Sequence, residues 1–224
     1  MSGKLSLVAT PIGNMEDITL RALRVLSEAD VIFAEDTRHT SNLLTHHEIR
    51  KPLQSCHDFS EARRSSEIAD RVAAGGRVAL VSDAGTPGIS DPGFRVVRAC
   101  VERGLEIEAI PGPCAAIAAL SASGLATDEF HFVGFLPVKS GACERRLREL
   151  SIIPGTLIIY ESPYRIARTL ERIAAIFPDR RMVAARELTK KFEEFRRGTA
   201  ATLLAHFQAH VPRGEFVILV EGGE

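Results

Sequence analysis

The stretch that decides the fold is VALVSDAGTPGISDPG, residues 78–93. Its apolar run, Val78–Val81, is typical of a buried strand and ends in a segment with three glycines, two prolines and two aspartates. Asp91-Pro92 predicts the start of a helix, because aspartate caps helices and proline favours the first helical position. A long loop at the carboxyl end of a parallel strand is where open α/β sheets bind ligands. The alternative is a tight surface turn, but residues 81–93 are more than a turn requires.

Strand and helix patterns alternate along the first half of the chain, in the order typical of a parallel sheet with helices on both faces. Strands are predicted at Leu5–Ala9, Val31–Ala34, Leu53–Ser55, Arg77–Val81 and Glu106–Ile110, and helices at Thr19–Ala29, Thr40–His47, Glu61–Ala74, Pro92–Arg103 and Cys114–Ser121. After about Thr127 the rhythm changes. Strands are predicted there at Phe130–Phe135, Thr156–Tyr160, Met182–Ala185 and Glu215–Val220, and helices at Ala142–Leu150, Tyr164–Ile176 and Thr199–His210. We therefore expect two α/β domains, residues 1–125 and 126–224.

The composition of the chain argues against several classes of protein and of binding site. The net charge of −1, with 45% hydrophobic and 25% charged residues, gives no global sign of a nucleic-acid partner. The four cysteines lie far apart without CxxC spacing, which argues against a zinc site or a disulfide framework and fits a reducing cytoplasm. The chain has no apolar segment of signal-peptide length and no apolar run of about 18 residues, so we expect no membrane insertion.

Four loops follow strands of the first half, and in a parallel sheet such loops project from one edge. They are Thr10–Asn14, Glu35–Arg38, Ser82–Gly93 and Pro111–Ala115. Three of them are rich in glycine and proline and offer mainly backbone groups to a ligand. The motifs GxGxxG, GxxxxGK[ST], HExxH and GxSxG are missing from the sequence, which excludes the usual dinucleotide, triphosphate, zinc-protease and hydrolase sites. The pattern favours a compact, neutral or zwitterionic ligand.

Seven strings, in order along nearly the whole chain, resemble those of one bacterial family. They are ATPIGN (9–14) with DIT (17–19), AEDTR (34–38), SDAGTP (82–87), PGPCAA (111–116), YESP (160–163) with Arg165, ARELTK (185–190) and GEF (214–216). The family is the small-subunit rRNA (cytidine-2′-O-)-methyltransferases of the tetrapyrrole-methylase superfamily. The resemblance implies a class III methyltransferase fold of two α/β domains, with a parallel sheet in the first and a mixed sheet in the second. It also implies S-adenosylmethionine folded in a cleft between them, and a homodimer.

The resemblance further implies which residues hold S-adenosylmethionine. In the superfamily, the loops that match Gly85-Thr86-Pro87 and Pro111–Ala116 hold the cofactor, and the first loop lies beside it. Cofactor contacts are therefore expected at Pro11, Gly13, Ser82, Asp83, Gly85, Thr86, Pro87, Gly112, Pro113, Cys114, Ala115, Ala116 and Leu188. No metal is expected. Family members often continue past the last strand, and loss of such an extension would remove RNA-contact or dimer surface.

Family members methylate the ribose 2′-oxygen of a cytidine in the decoding centre of 16S rRNA, so the small ribosomal subunit is the expected partner. The reaction needs the 2′-oxygen in line with the methyl group and a group that takes the 2′-proton. The candidates for that group are Glu35, Asp36, Glu161, Glu187 and Lys190, of which we retain Asp36, Glu187 and Lys190. Asp36 beside Arg38 equally fits a helix cap with a local ion pair, and Glu187 with Lys190 fits a structural salt bridge. A lysine near a carboxylate can act as a base if desolvation lowers its pKa.

RNA contacts are expected at basic residues, namely Arg38, Arg63, Arg64, Lys139 and Arg165. The RNA should be single-stranded or splayed, because the 2′-oxygen and the base must enter a pocket. Since the chain has no tryptophan and 6% aromatic residues, base stacking is limited to Phe, Tyr or His, and His57-Asp58-Phe59 is the candidate. Two alternatives keep the cofactor. One is a methylase that acts on a small molecule, such as a porphyrinoid, or on a modified protein side chain. The other is a cofactor-binding regulator without turnover.

Overall fold

A computed structural model describes residues 3–223 of the protein, apart from the side chains of Asp58 and Phe59. Along the chain, contacts divide it into two compact units, Met1–Cys114 and Ala115–Glu224. Within the described residues, no helix is long and apolar enough to cross a membrane.

The first unit is built on a five-stranded parallel sheet. Its strands are β1 (Lys4–Val8), β2 (Val31–Ala34), β3 (Leu53–Ser55), β4 (Arg77–Val81) and β5 (Glu106–Ile110), and its helices are α1 (Leu20–Glu28), α2 (Thr37–His46), α3 (Asp58–Ala73) and α4 (Phe94–Glu102). The strand order is β3-β2-β4-β1-β5, with every neighbouring pair parallel. From β1 the chain runs to β2, in one direction across the sheet. From β4 it runs to β5, in the opposite direction. The strand order therefore reverses between β1 and β4, the position where such sheets bind ligands.

Side chains that alternate along these strands bury both faces of the sheet. In β2, Ile32 and Ala34 pack with α1 and α2, whereas Val31 and Phe33 pack with α3 and α4. All four are buried. A strand enclosed on both faces has a continuous apolar sequence, which is why VIFA is recognisable as a strand without any polar alternation.

The second unit contains a mixed sheet. Its strands are β6 (Phe130–Phe135), β7 (Thr156–Glu161), β8 (Met182–Arg186), β9 (Glu194–Gly198) and β10 (Phe216–Val220), and its helices are α5 (Ala115–Ser121), α6 (Ser140–Leu150), α7 (Ile166–Ile176) and α8 (Ala200–Ala209). The order is β6-β7-β10-β8-β9, in which only the β6–β7 pair is parallel. The predicted parallel and mixed sheets are thus confirmed. Because α5 packs against β7 and β10, the observed division precedes α5, earlier than the predicted limit at residue 125.

Loops from several strands meet at one edge of this second sheet. Phe216, the first residue of β10, pairs with Glu161 at the end of β7 and with Arg186 at the end of β8. Arg186 pairs in turn with Glu194, the first residue of β9. We call this the second-unit edge; it comprises residues 136–139, 162–165, 187–193 and 211–215. The corresponding first-unit edge comprises the loops that follow β1, β2, β4 and β5.

The start of α4 differs from the sequence prediction. The helix begins at Phe94 rather than at Asp91-Pro92, because Gly93 has φ 144°, which is not helical. Its cap comes from a distant residue: the buried carboxylate of Glu61, on α3, accepts hydrogen bonds from the backbone N–H of Gly93 (2.9 Å) and of Arg95 (2.8 Å). A negative charge at a helix N-terminus satisfies free N–H groups and interacts favourably with the helix dipole.

Two further elements also differ from the prediction. The helix expected from Thr40 begins at Thr37, because Asp36 caps it through the backbone N–H of Arg38. Strand β9 is missing from the predicted elements, since its sequence, EFRRG, lacks the apolar alternation of a strand. It is an edge strand held by its pairing with β8.

Replacement of Glu61 by alanine should lower the free energy of unfolding by about 2 kcal/mol, because two N–H groups at the start of α4 lose their acceptor. Glu61→Gln should cost less, since the amide oxygen still accepts a hydrogen bond but carries no charge. Urea denaturation monitored by circular dichroism measures both changes. As a control, Glu102→Ala at the exposed end of α4, where Glu102 pairs with Arg98, should change the value by less than about 0.5 kcal/mol. Equal losses for Glu61→Ala and Glu102→Ala would contradict the capping role.

Candidate functional site

The ends of β1 and β4 are joined by a pair of backbone hydrogen bonds. The N–H of Thr10 donates to the carbonyl of Gly85 (2.9 Å), and the N–H of Gly85 donates to the carbonyl of Thr10 (3.0 Å). The hydroxyl of Thr10 also donates to the carbonyl of Ser82 (3.2 Å). These bonds lie where the strand order reverses, so two of the four predicted loops are fixed to each other at the expected ligand position.

Hydrogen bonds that involve side chains, together with one close backbone approach, join the loops after β2 and β5 to this pair. The N–H of Asp36, after β2, donates to Oδ1 of Asp83 (2.9 Å), and the hydroxyl of Thr86 donates to the carbonyl of Pro113, after β5 (3.4 Å). A Cβ added to Gly112 would lie 2.9 Å from Cβ of the buried residue Ala9. The structure therefore brings the four loops together, as the parallel order predicts.

Gly85 combines a left-handed backbone with a close environment. Its φ is +82°, a conformation that glycine adopts without strain and other residues rarely adopt. An added Cβ would meet Ile12 at 3.5 Å and the carbonyl of Pro113 at 3.7 Å, so this position faces the first and the fourth loop. Gly88 in the same loop has nearly the same φ, +81°, but its added Cβ would meet nothing closer than 3.9 Å.

The predicted cofactor residues fall into two groups. All except Leu188 lie on the first-unit edge or at the start of α5, whereas Leu188 is buried in the β8–β9 loop. Further polar groups of these residues are already engaged: the Ser82 hydroxyl lies 3.5 Å from the carbonyl of Gly85, and the N–H of Ala116 donates to the Tyr160 hydroxyl (3.2 Å). Within the described residues, Oδ2 of Asp83 accepts no hydrogen bond. The predicted cofactor residues of this edge thus offer backbone groups and one carboxylate.

Asp36 has the structural role that its sequence equally fitted. Its Oδ1 accepts from the backbone N–H of Arg38 (2.8 Å), and its Oδ2 pairs with the Arg38 guanidinium (2.8 Å). These hydrogen bonds and the adjacent positive charge lower the pKa of Asp36 to about 2. Such a carboxylate is a weak base, and its catalytic role stays a prediction.

Glu187 and Lys190 belong to a three-residue ion cluster that also includes Glu215. The ammonium of Lys190 lies 2.9 Å from Oε1 of Glu187 and 2.8 Å from Oε2 of Glu215. Oε1 of Glu187 also accepts from the backbone N–H of Glu215 (3.1 Å). In the part of the chain that the structure describes, Oε2 of Glu187 accepts no hydrogen bond. One carboxylate oxygen is therefore held by two donors and the other is open.

The cluster shifts the pKa values of its members in opposite directions. Burial alone would lower the pKa of Lys190, but hydrogen bonds to Glu215 and Glu187 and their charges outweigh burial, so the pKa lies above the ordinary lysine value. Burial alone would raise the pKa of Glu187, but the hydrogen bonds from Lys190 and from the backbone of Glu215 lower it overall. At neutral pH Lys190 is thus protonated and Glu187 is ionised, which is the opposite of what a lysine base requires.

Two strained residues shape the turn that carries this cluster. Glu187 has φ +49° and Thr189 has φ +64°, and the left-handed region is unusual for a β-branched residue. The neighbouring Gly214 is required, since a Cβ there would lie 2.2 Å from the carboxyl carbon of Glu187. Strain of this kind is typical of functional turns.

The predicted RNA-binding residues differ in availability. Arg38 has an 89% exposed side chain, and Arg63 and Lys139 are exposed. Arg64 instead pairs with Glu67 at 2.5 Å and is 19% exposed. Arg165 donates to the carbonyl of Leu136 (2.7 Å) and pairs with Glu161 (3.3 Å). The predicted stacking side chains of Asp58 and Phe59 lie outside the described residues.

Glu161 is structural rather than open to a substrate. Its carboxylate is buried and accepts from the Thr169 hydroxyl (2.6 Å) and the backbone N–H of Ser162 (2.8 Å), and it pairs with Arg165.

Sequence reasoning missed the part of Glu215 in the ion cluster, because the antiparallel pairing that brings it to Glu187 has no local signal. The short string GEF at the start of a strand was the only hint.

Comparison with known proteins agrees with this architecture. A sequence profile of the Tetrapyrrole (Corrin/Porphyrin) Methylases matches residues 4–204. The ribosomal RNA small subunit methyltransferase I of Synechocystis sp. is 48% identical over 221 residues, which cover 98% of this chain and 79% of the relative. The protein of the same name from Escherichia coli O157:H7 is 47% identical, over 98% of this chain and 78% of the relative.

Solved structures show the same fold at lower identity. Uroporphyrin-III C-methyl transferase from Thermus thermophilus, complexed with S-adenyl homocysteine, has a TM-score of 0.66 at 22% identity, over 99% of this chain and 98% of that one. Diphthine synthase has a TM-score of 0.70 at 14% identity, over 98% and 90%. The predicted fold class is thereby confirmed. The chain belongs to the tetrapyrrole methylases and, within them, to the ribosomal RNA small subunit methyltransferase I family.

Proposed function

We propose that this chain is an S-adenosylmethionine-dependent methyltransferase that modifies the ribose 2′-oxygen of a decoding-centre cytidine in small-subunit rRNA. The observation that carries the proposal is identity of 45% to 49% over nearly the whole chain with relatives named for methylation of this RNA. The choice of the 2′-oxygen rests on the resemblance of the sequence motifs. A homodimer and a cytoplasmic location remain further proposals.

The first-unit edge supports binding of S-adenosylmethionine. Its glycines allow backbone to approach a ligand closely, and the edge is joined into one surface by the Thr10–Gly85 and Asp83–Asp36 hydrogen bonds. The open Oδ2 of Asp83 suits a ligand that carries positive charge. The residues proposed to hold the cofactor are Pro11, Gly13, Ser82, Asp83, Gly85, Thr86, Pro87, Gly112, Pro113, Cys114, Ala115, Ala116 and Leu188. Bound S-adenosylmethionine would supply an electrophilic methyl group on a sulfonium.

Among the three proposed catalytic residues, Glu187 fits proton acceptance best. Lys190 keeps its proton at neutral pH and holds Oε1 of Glu187, which leaves Oε2 open for the hydrogen of a ribose hydroxyl. Asp36 has both oxygens engaged by Arg38. We therefore propose Glu187 as the acceptor of the 2′-proton and Lys190 as the residue that positions it. Asp36 is retained as a catalytic candidate that fixes the loop after β2.

The proposed reaction can be tested with small ribosomal subunits from cells that lack this enzyme. We expect the protein to transfer one labelled methyl group per subunit, and nucleoside digestion with mass spectrometry should place it on the ribose of cytidine. Parallel reactions contain porphyrinoid acceptors and modified proteins. Methylation of one of these in place of the RNA would favour the small-molecule or protein alternative. Calorimetric binding of S-adenosylmethionine without any methylated acceptor would favour a regulator.

The glycines of the 82–93 loop provide a matched test of the cofactor site. Gly85→Ala and Gly88→Ala impose similar backbone strain, because φ is +82° and +81°, and each should cost about 1–2 kcal/mol of stability. Only Gly85 bonds to Thr10 and faces Ile12 and Pro113. Calorimetry should show S-adenosylmethionine affinity lowered by about tenfold or more in Gly85→Ala. Equal affinities in the two variants would argue against a site at this edge.

The pH dependence of single-turnover methyl transfer separates Glu187 from Lys190 as the base. The lowered pKa of Glu187 keeps it ionised throughout the neutral range, so the rate should be flat between about pH 6 and pH 8. A lysine base with a raised pKa would instead give a rate that rises about tenfold per pH unit, because the neutral fraction rises in that way. Glu187→Gln should slow the chemical step by about 10²-fold or more at unchanged cofactor affinity. A steep pH dependence would overturn the assignment to Glu187.

A further inference from the structure

The second-unit edge carries two exposed aromatic rings. Tyr164, in the turn between β7 and α7, is 93% exposed, and Phe192, in the loop between β8 and β9, is 64% exposed. The pairings at the ends of β7, β8 and β9 bring both loops to the same edge of the sheet. A single exposed ring on a protein surface is common, but two exposed rings at one edge of a sheet indicate a contact surface.

Most of the charges without an ion-pair partner at this edge are positive. Lys139, Lys191 and Arg213 are exposed, and within residues 3–223 none of the three forms an ion pair. Among the acidic groups, Glu187 and Glu215 bind Lys190, whereas Glu193 accepts from the backbone N–H of Thr189 (2.6 Å) and forms no ion pair within the described residues. The Lys191 ammonium lies 5.7 Å from the centre of the Phe192 ring. A cation thus lies over one face of an exposed aromatic ring.

The turn that carries Tyr164 is firmly held. The buried carboxylate of Glu161 accepts from the Ser162 backbone and pairs with Arg165, and Arg165 also donates to the carbonyl of Leu136. The N–H groups of Arg165 and Ile166 both donate to the carbonyl of Ser162 (3.1 Å each). An exposed ring on a rigid turn loses little conformational entropy on binding, which favours its use as a contact.

An open aromatic ring beside an unpaired cation suits a nucleotide, since the base stacks on the ring and the phosphate meets the cation. We infer that Tyr164 and Phe192 stack on unpaired bases of the RNA substrate, with Lys139, Lys191 and Arg213 contacting its phosphates. Unpaired bases are required, because bases inside a duplex have both faces covered. This inference rests on the proposed function and deepens it by naming the surface that receives the RNA. Arg165 is a positioning residue in this arrangement.

Tyrosine fluorescence reports the stacking directly, because the chain has no tryptophan and two tyrosines, Tyr160 and Tyr164. In the Tyr160→Phe variant, Tyr164 is the one remaining tyrosine of the sequence. A single-stranded oligoribonucleotide with the sequence around the target cytidine should quench the fluorescence of Tyr164. The same strand in a duplex should quench it far less. Tyr164→Phe leaves only Tyr160 and serves as the matched control for absorption of light by the RNA.

Binding measurements on ring variants complete the test. Tyr164→Ala and Phe192→Ala should each weaken binding of the oligoribonucleotide roughly 5-fold to 150-fold. Tyr164→Phe and Phe192→Tyr, which keep a ring, should bind nearly as well as the parent protein. Phe130→Ala removes an aromatic residue at the opposite end of β6 and should leave RNA affinity unchanged. Thermal unfolding and S-adenosylmethionine affinity should be unaffected by the ring variants.

The outcomes separate this inference from the proposed function. Unquenched Tyr164 emission together with unchanged RNA affinity in both alanine variants would overturn the inference, as would failure of the parent protein to bind the oligoribonucleotide. Methylation of small subunits with an unchanged KM in the ring variants would leave the proposed function intact and reject the stacking surface. RNA binding that depends on the two rings, without methylation of small subunits, would support the stacking surface and contradict the proposed function.

Discussion

The site depends on the pair of backbone hydrogen bonds that join Thr10 to Gly85. They connect the ends of β1 and β4, the two strands between which the chain order reverses. Because these bonds use backbone groups, they require a residue at position 85 that adopts φ +82°, and glycine does so without strain. Asp83 and Thr86 then attach the loops after β2 and β5 to the same point. One local pairing thus converts four separate loops into one surface.

In the second unit, ion pairs hold the proposed catalytic residues in place, whereas backbone hydrogen bonds join the loops of the first unit. Its chemistry-bearing turn holds a lysine between two carboxylates, and the mutual stabilisation of these charges outweighs burial for Lys190 and for Glu187. A lysine in this setting keeps its own proton at neutral pH, but it can fix the orientation of the carboxylate that we propose as the proton acceptor. The positive φ values of Glu187 and Thr189 show that the fold tolerates strain to hold this turn.

The sequence predicted the features that arise from local pattern and from strand direction. The apolar runs of β1, β2 and β4 and the glycine-rich loops after β1 and β4 were sufficient to predict a parallel sheet with convergent loops. The features it did not predict depend on residues far apart in the chain. Glu61 caps α4 across 32 residues, β9 exists through its pairing with β8, and Glu215 reaches Lys190 across an antiparallel sheet. The start of α4 was predicted wrongly for this reason, since Asp91-Pro92 is a good local signal that the cap from Glu61 overrides.

The central claim is that the loops after β1, β4 and β5 hold S-adenosylmethionine. Hydrogen–deuterium exchange of the full chain, with and without S-adenosylhomocysteine, tests it most directly because backbone groups are the proposed contacts. Amides within residues 10–14, 82–88 and 111–116 should exchange markedly more slowly when the ligand is bound. Unchanged exchange in all three segments, with protection elsewhere in the chain, would contradict the claim.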